Sequence, residues 1–292
     1  MDCYNQVPRY RLIALFMLLA ICSCPGHAAE EKVIYPRPAS VSDPQTRYIL
    51  TLLHLGLKNS GKSYVANSTP TRMQQAGVIR EMLSNHGKVD LFWSMTTDER
   101  ENELLPVRIP LDKGLIGWRI ALVKVEHARI FQSVKSLGDL QAFRAGQEAA
   151  WPDAKILRSN KLPVVTATSE DAMFTMLTGG RFDYFPRSVI EIRDELDVHA
   201  TLPLAIEQEI VLHYPSALYF FVSPRRPELA ADLRGGMEKA VADGSFERLF
   251  QQYIQPELTA LNIKQRRVIE LNNPLLKSDN MPLHRRELWY RP

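Results

Sequence analysis

The chain has 292 residues, with 36 lysines and arginines against 33 aspartates and glutamates, so its net charge is only +3. That near balance argues against a nucleic-acid-binding role. Its cysteines, Cys3, Cys22 and Cys24, all lie before residue 25, which leaves the body of the chain without a disulfide framework, a thiol nucleophile or a thiolate metal site.

Residues 1–28 read as a secretory signal peptide. Arg9 and Arg11 precede an apolar run from Leu12 to Cys22, followed by Pro25-Gly26-His27-Ala28-Ala29 and the acidic Glu30-Glu31. Cleavage is expected after Ala28; a lipid-anchored leader acylated at Cys22 or Cys24 fits less well. No later stretch approaches the roughly 20 apolar residues a membrane-crossing helix needs, so the expected product is a protein soluble outside the cytoplasm.

Beyond the leader, Val33-Ile34-Tyr35 before Pro36 predicts a short strand with Tyr35 at its end. Tyr48, Ile49, Leu52, Leu53 and Leu57 fall at helical spacing, and 63–67 reads as extended. Residues 71–85 predict a second helix and Val89 to Trp93 a buried strand. Strands alternating with helices imply an α/β fold with parallel pairing. Further strands are expected within 115–125, at Lys155-Ile156-Leu157, at Val164-Val165-Thr166 and over 217–222. Helices are expected from Pro227 and again through Phe246, Leu249, Phe250 and Tyr253. The tail from Ile263 is basic, and Leu288-Trp289-Tyr290 is expected to pack back on the body.

Residues 56–63, GLKNSGKS, match the phosphate-loop pattern. The mechanism of that loop needs a strand before it and a helix after it, and here a helical pattern leads in and an extended one follows, so a helix-to-strand turn is the better reading. The histidines show no ligand-like pairing beyond Glu209 with His213, and no G-x-S-x-G elbow is present. Neither a cofactor nor a metal is expected.

Two segments stand out as candidate sites. Trp93-Ser94-Met95-Thr96-Thr97-Asp98-Glu99-Arg100 follows a buried strand and offers an aromatic face, hydroxyls and a guanidinium; it is also a good helix start, with Thr97 as cap. Gly180-Arg181-Phe182-Asp183-Tyr184-Phe185-Pro186-Arg187-Ser188 follows a helix that Thr168 and Asp171 would open with a capping box and Gly179-Gly180 would stop. A strand from Arg181 to Phe185 is expected to end at Pro186, with Arg187 projecting beyond it. From spacing alone, a ligand-facing arginine and a solvated one are equally good readings.

In their order along the chain these segments resemble the family 3 solute-binding proteins, periplasmic receptors of amino-acid type. Thr97-Asp98-Glu99-Arg100 resembles their T-P-E-R element, Gly180-Arg181-Phe182-Asp183 their G-R-x-D, and 240–246, AVADGSF, their closing stretch. The segments 145–153 and 182–187 also resemble a proteobacterial subgroup of transporter substrate-binding domain proteins. The resemblance implies a two-lobed periplasmic-binding-protein type II fold, each lobe a mostly parallel sheet flanked by helices, with two hinge crossovers. Lobe one would be 29–123 with 218–292, and lobe two 124–217. It further implies a monomer that captures a small molecule by hinge closure and presents it to a membrane transporter permease or sensor. In this reading Arg100 holds a ligand carboxylate, Tyr35 lines the cleft, Thr96 flanks it, and Gln147 and Glu148 lie at a second-lobe helix start.

One departure shapes the expected ligand. Where amino-acid receptors keep an acidic residue for the ligand ammonium, this chain has Phe185-Pro186-Arg187-Ser188. An arginine there predicts an acidic solute, with or without an aromatic ring, between Arg100 and Arg187, stacked by Tyr35, Trp93, Trp151 or Tyr184. The protein is read as a non-enzyme. The alternatives are a dehydratase-like enzyme, for which Glu148, Asp183 and Glu191 are the nearby acids, or a degenerate receptor that binds a protein partner.

Overall fold

A computed structural model describes residues 1–2, 30–38, 41, 43–276 and 281–291. The predicted signal peptide lies almost wholly outside them. Among the described residues no helix is long and apolar enough to cross a membrane.

The strands fall into two groups. In the first, β1 (Glu31–Tyr35) and β2 (Tyr64–Ser68) run parallel on either side of α1 (Pro44–Asn59). The Asp43 side chain caps α1 by accepting the Thr46 amide at 2.6 Å, and Pro44 fills the first turn, where no amide partner is needed. After α2 (Gln75–Leu83) come β3 (Leu91–Met95), α3 (Asp98–Glu103) and β4 (Leu105–Val107). Both β3 and β4 pair antiparallel with a strand from much later in the chain, Leu218–Val222, whose five residues are all buried. The Asp90 amide donates to Ile34 O at 2.8 Å and ties β3 to β1.

The second group is built on β5 (Trp118–Lys124). Beyond it lie α4 (Leu137–Leu140), β6 (Ala145–Glu148), α5 (Pro152–Ser159), β7 (Val164–Ala167), α6 (Glu170–Thr178), β8 (Phe185–Ser188), α7 (Ile192–Val198), β9 (Leu204–Ile206) and β10 (Ile210–His213). β5 pairs antiparallel with β8, β9 and β10, while β6 and β7 run parallel. The strand Leu218–Val222, β11, then returns to the first group and leads into α8 (Pro227–Ala242), α9 (Ser245–Tyr253) and α10 (Gln255–Ala260). Finally β12 (Arg267–Glu270) adds parallel to β10. The five-stranded sheet is therefore mixed, with β12 parallel to β10 and β5 antiparallel to its neighbours, whereas β1–β2 and β6–β7 are parallel pairs and β3–β11–β4 is antiparallel. One hydrophobic core, from Val33 through Ile120, Phe185 and Phe220 to Leu288, runs through both groups.

α1 and α8 approach so closely that glycine is required. A Cβ on Gly236 would lie 1.8 Å from Gly56 O, a backbone atom that cannot swing aside. Gly236→Ala is expected to destabilise the protein by about 1–3 kcal/mol through overpacking. Helix propensity alone would favour alanine by about 1 kcal/mol. The sign of the change in urea-unfolding midpoint therefore checks the packing.

Several expectations from sequence are corrected. Lys155-Ile156-Leu157 is not a strand but the middle of α5, whose start is set by Pro152 in the first turn after the extended Trp151. Three consecutive residues cannot separate the two periodicities. Ser169, not Thr168, caps α6, accepting the Ala172 amide at 3.3 Å. β8 does not end at Pro186 but runs through it to Ser188. Val189 donates to Trp118 O at 3.0 Å, so by the two-residue alternation of an antiparallel pair Arg187 and Phe185 turn their amides to β5 and Pro186 turns away. The donor that proline lacks is not needed by that ladder. The phosphate-loop match is a helix-to-strand turn, with Gly61 at φ 85° between α1 and β2. The tail does pack back: Leu288 is fully buried, and the Tyr290 ring meets Trp118 edge-on at 5.9 Å.

Candidate functional site

The ends of β3 and β8, with the starts of α3, α5 and α6, surround three adjoining cavities of about 610, 280 and 460 Å³. Arg100, Trp151 and Pro152 line both the first and the second; Gln45, Glu170, Arg187 and Glu191 line both the second and the third. The middle cavity thus joins an Arg100 end to an Arg187 end, with Trp93 and Arg119 on its walls.

Arg100 sits in the first turn of α3, which Thr97 caps by accepting the Arg100 amide at 3.2 Å. Its guanidinium donates to Met95 O and, at 2.8 Å, to Gln75 Oε1. Gln75 is in turn held by donating to Ser94 Oγ at 2.6 Å. Among the described residues Arg100 makes no ion pair. Burial lowers its pKa to about 10, with Glu99 and Asp153 acting the other way. Arg100 lines both cavities, and a guanidinium is a planar fork of donors matched to a carboxylate.

Arg187 is differently placed. Its guanidinium carbon lies over Trp151, 4.5 Å from the ring centroid, and 4.9 Å from that of Phe185. Arg187 meets Glu195 through two hydrogen bonds, one of 2.5 Å, and Glu170 at 3.0 Å, with Glu191 at 3.6 Å. Burial opposes its charge, but Glu195 and Glu191 together hold its pKa above the ordinary arginine value. The expected anion-attracting arginine is therefore already saturated by carboxylates. Glu191 and Glu195 follow Arg187 by four and eight residues, and Glu170 arrives from the start of α6.

A second buried arginine lies beneath. Arg119 of β5 pairs with Asp153 of α5 at 2.9 Å and Glu191 at 3.4 Å, and donates to the Tyr214 hydroxyl at 2.8 Å; that hydroxyl donates to Asp153. Burial works against Arg119, yet Asp153, Tyr214 and Glu191 raise its pKa. The middle cavity therefore carries Arg100, Arg119 and Arg187 against Asp153, Glu170 and Glu191, and only Arg100 among these arginines makes no ion pair. The outermost cavity is more acidic, adding Asp43, Asp171, Asp194 and Glu195 against Arg72. Burial, then Asp43 and Glu257, push the Asp194 carboxyl up to about 6.

Of the eight residues expected at the site, Trp93, Arg100, Trp151 and Arg187 line the middle cavity. Tyr35 stands behind Trp93 with ring centroids 6.0 Å apart and supports it. Thr96 is fully buried and donates to Glu101 at 2.6 Å, so its hydroxyl is committed to α3. Gln147 is buried in β6 and donates to Pro186 O at 3.0 Å, bracing β8 from behind. Tyr184 is corrected outright: it bridges to Ala145 in the sheet, its ring is packed edge-on to Phe131 at 5.1 Å, and it has no exposed surface with which to stack a ligand. Of the acids considered for catalysis, Asp183 accepts the Arg144 amide at 2.7 Å, Glu148 accepts the Ala150 amide at 3.3 Å, and Glu191 pairs with Arg119. The cavity residues that sequence reasoning did not single out are Gln45, Gln75, Arg119, Asp153 and Glu170. Arg119 alone carried a signal, as a charge inside the apolar run from Trp118 to Val123.

No protein-family model matches the chain, and no curated protein matches it. Solved structures do. A periplasmic binding protein of Salmonella typhimurium, described as having high arginine specificity, is 15% identical over 77% of this chain and 99% of its own, with a TM-score of 0.56. An ancestral arginine-binding protein bound to glutamine is 17% identical over 71% of this chain and 87% of its own, at a TM-score of 0.53. The arginine-, lysine- and histidine-binding protein ArtJ of Geobacillus stearothermophilus is 16% identical over 74% and 89%, at 0.52. At these identities the likeness shows the fold, the α/β periplasmic-binding-protein type II architecture.

Proposed function

We propose that the chain is an extracytoplasmic solute-binding protein that captures a small solute bearing a carboxylate by closure of two lobes and presents it to a membrane transporter or sensor. The observation that carries this is Arg100, a buried guanidinium that makes no ion pair among the described residues, at the junction of two cavities. A buried charge of this kind is stabilised when a ligand carboxylate arrives. The lobes are 29–123 with 218–292, and 124–217, with β5 and β12 pairing into the sheet of the second. Secretion through the leader would place the protein in the periplasm.

The acidic solute expected from sequence is replaced by one with a single carboxylate and a cationic group, because Arg187 is already paired with carboxylates. A second anionic group reaching Arg187 would face Glu170 and Glu191, while a cationic group there would be favoured. Trp93 and Trp151 offer apolar walls between the two ends. The similar solved structures are described as binding arginine, lysine, histidine or glutamine, amino acids with a single carboxylate and an ammonium group.

A thermal-shift screen against L-arginine, L-glutamine, succinate and an aromatic monocarboxylate tests the reading. At 100 times its Kd a ligand adds about 2.7 kcal/mol, which raises the melting temperature of a protein this size by roughly 5–10 °C. A shift with a zwitterion and none with succinate is expected. A shift with succinate alone, or with no member of a broad solute panel, would overturn it.

A further inference from the structure

Arg100 differs from the other arginines of the middle cavity in the kind of oxygen it meets. Arg119 pairs with Asp153 and Glu191, and Arg187 with Glu170, Glu191 and Glu195, so each is held by carboxylates. The Arg100 guanidinium donates to Met95 O and to Gln75 Oε1, both uncharged oxygens. Met95 O is a backbone group that any residue at that position would supply. The oxygen of Gln75 depends on its side chain, and Gln75 lines the same cavity.

The placement of Gln75 follows from how α2 packs. Gln75, Val78 and Met82 recur at helical spacing and share one face of α2. Phe92 and Ser94 alternate with Trp93 along β3 and share one face of that strand. Val78, Met82 and Phe92 lie in one buried cluster, which lays this face of α2 on that face of β3. Gln75, one turn before Val78, therefore meets Ser94, two residues beyond Phe92. The direction of its amide follows from its neighbours. A guanidinium has only donors, so the amide oxygen turns to Arg100 at 2.8 Å, and the nitrogen donates to Ser94 Oγ at 2.6 Å. Ser94 is buried, which fixes the far end of this bridge. The turn into α2 is pinned in its turn to the end of β1: the Thr69 amide donates to Tyr35 O at 2.8 Å, and Thr69 Oγ1 accepts the Arg37 amide at 2.9 Å.

We propose that Gln75 determines the specificity of the site for a carboxylate: as a neutral acceptor it positions the Arg100 guanidinium and leaves its charge for the solute, an inference that rests on the carboxylate reading above. The alternative at this position is a glutamate, which has the same length. It could accept from Arg100 and also from the Ser94 hydroxyl, since a hydroxyl rotates to donate. Arg100 would then be paired as Arg187 is paired with Glu195, and an arriving carboxylate would meet a second negative charge. One amide in place of one carboxylate thus separates the open arginine of this cavity from the two that are already neutralised.

Comparing each amino acid with its decarboxylated form isolates the carboxylate. L-arginine is paired with agmatine and L-glutamine with γ-aminobutyramide, and calorimetric titrations are run on the parent, Gln75→Glu and Gln75→Met, with a melt of each protein in the absence of solute. The parent is expected to prefer the amino acid by about 100-fold or more. Gln75→Glu should lose that preference and yet melt higher than the parent, because a buried guanidinium gains a counter-charge. Gln75→Met, of similar length but without an acceptor, should keep the preference, reduced about tenfold, and melt lower. A residue that served only the fold would lower affinity and stability together and leave the ratio within each pair unchanged. A Gln75→Glu protein that retains the preference of the parent would overturn the role of Gln75 alone. An undiminished preference in Gln75→Met would do the same, so the test stays decisive if Gln75→Glu does not fold. A parent that binds the members of each pair equally, or binds none of them, would sink the carboxylate reading and this proposal with it, so the two failures are distinguishable.

Discussion

Arg100→Gln is expected to weaken binding of the solute that raises the melting temperature of the parent protein by about 100-fold or more, with little loss of fold stability. Removing one partner from a desolvated, hydrogen-bonded charge pair costs about 2–5 kcal/mol, and each 1.4 kcal/mol is tenfold in Kd. The small effect on stability follows from the unliganded geometry. Arg100 is buried with bonds to Met95 O and Gln75 but no carboxylate, and its lowered pKa, about 10, reflects a charge that folding does not favour. A glutamine can keep one of these hydrogen bonds without burying a charge. Arg100→Lys keeps the charge and loses the fork, so it should fall between the two. Calorimetric titration gives the affinity and a melt in the same buffer gives the stability. An affinity unchanged in Arg100→Gln would remove the basis of the proposed function.

Arg100 was legible in sequence because its position is fixed locally. Thr97 with Asp98 and Glu99 announces a helix start directly after a buried strand, and the guanidinium five residues beyond that strand must lie near its end. The same locality made β1, β3, β7, β11 and the helices from Pro227 and Ser245 readable. β6 was not, because Ala145-Gly146-Gln147-Glu148 is too short and too polar to show a period. There Gly146 exists for close packing: a Cβ would lie 2.3 Å from the Phe182 ring. The chemistry around Arg187 was misread for a different reason. Its position after a helix and strand was visible, but its partners are set by the turn that follows β8, which brings Glu191 and Glu195 back over it, and by the cap that aims Glu170 at it. An arginine's charge can be counted in sequence, whereas whether that charge is already spent depends on tertiary contacts. Tyr184 fails similarly, since one residue of register decides whether a strand side chain meets the cleft or the core.

Arg187→Met is therefore expected to act first on stability, by about 3–5 kcal/mol, lowering the melting temperature by on the order of 10 °C near pH 8. The methionine fills the space over Trp151, so the loss comes from Glu195, Glu191 and Glu170, left facing one another with their shared cation gone. The pH dependence identifies the cause. Burial already raises the Glu195 pKa, with Glu191 and Glu170 adding to it and Arg187 opposing them. Removing Arg187 raises it further above its unfolded value of about 4.3. A carboxyl whose folded pKa exceeds its unfolded one binds more protons in the native state. Its contribution to stability is then complete below the unfolded pKa and is lost as pH rises through the folded pKa. The deficit of Arg187→Met relative to the parent should thus be largest at pH 8 and shrink towards pH 5. A deficit independent of pH would mean that packing, not charge, is what Arg187 supplies. Adding Glu195→Leu to Arg187→Met should recover part of the loss, because the pair is then replaced on both sides by apolar groups, and a coupling above about 1 kcal/mol in that double-mutant cycle would place the charge contact itself at the centre of the second-group wall of the cleft.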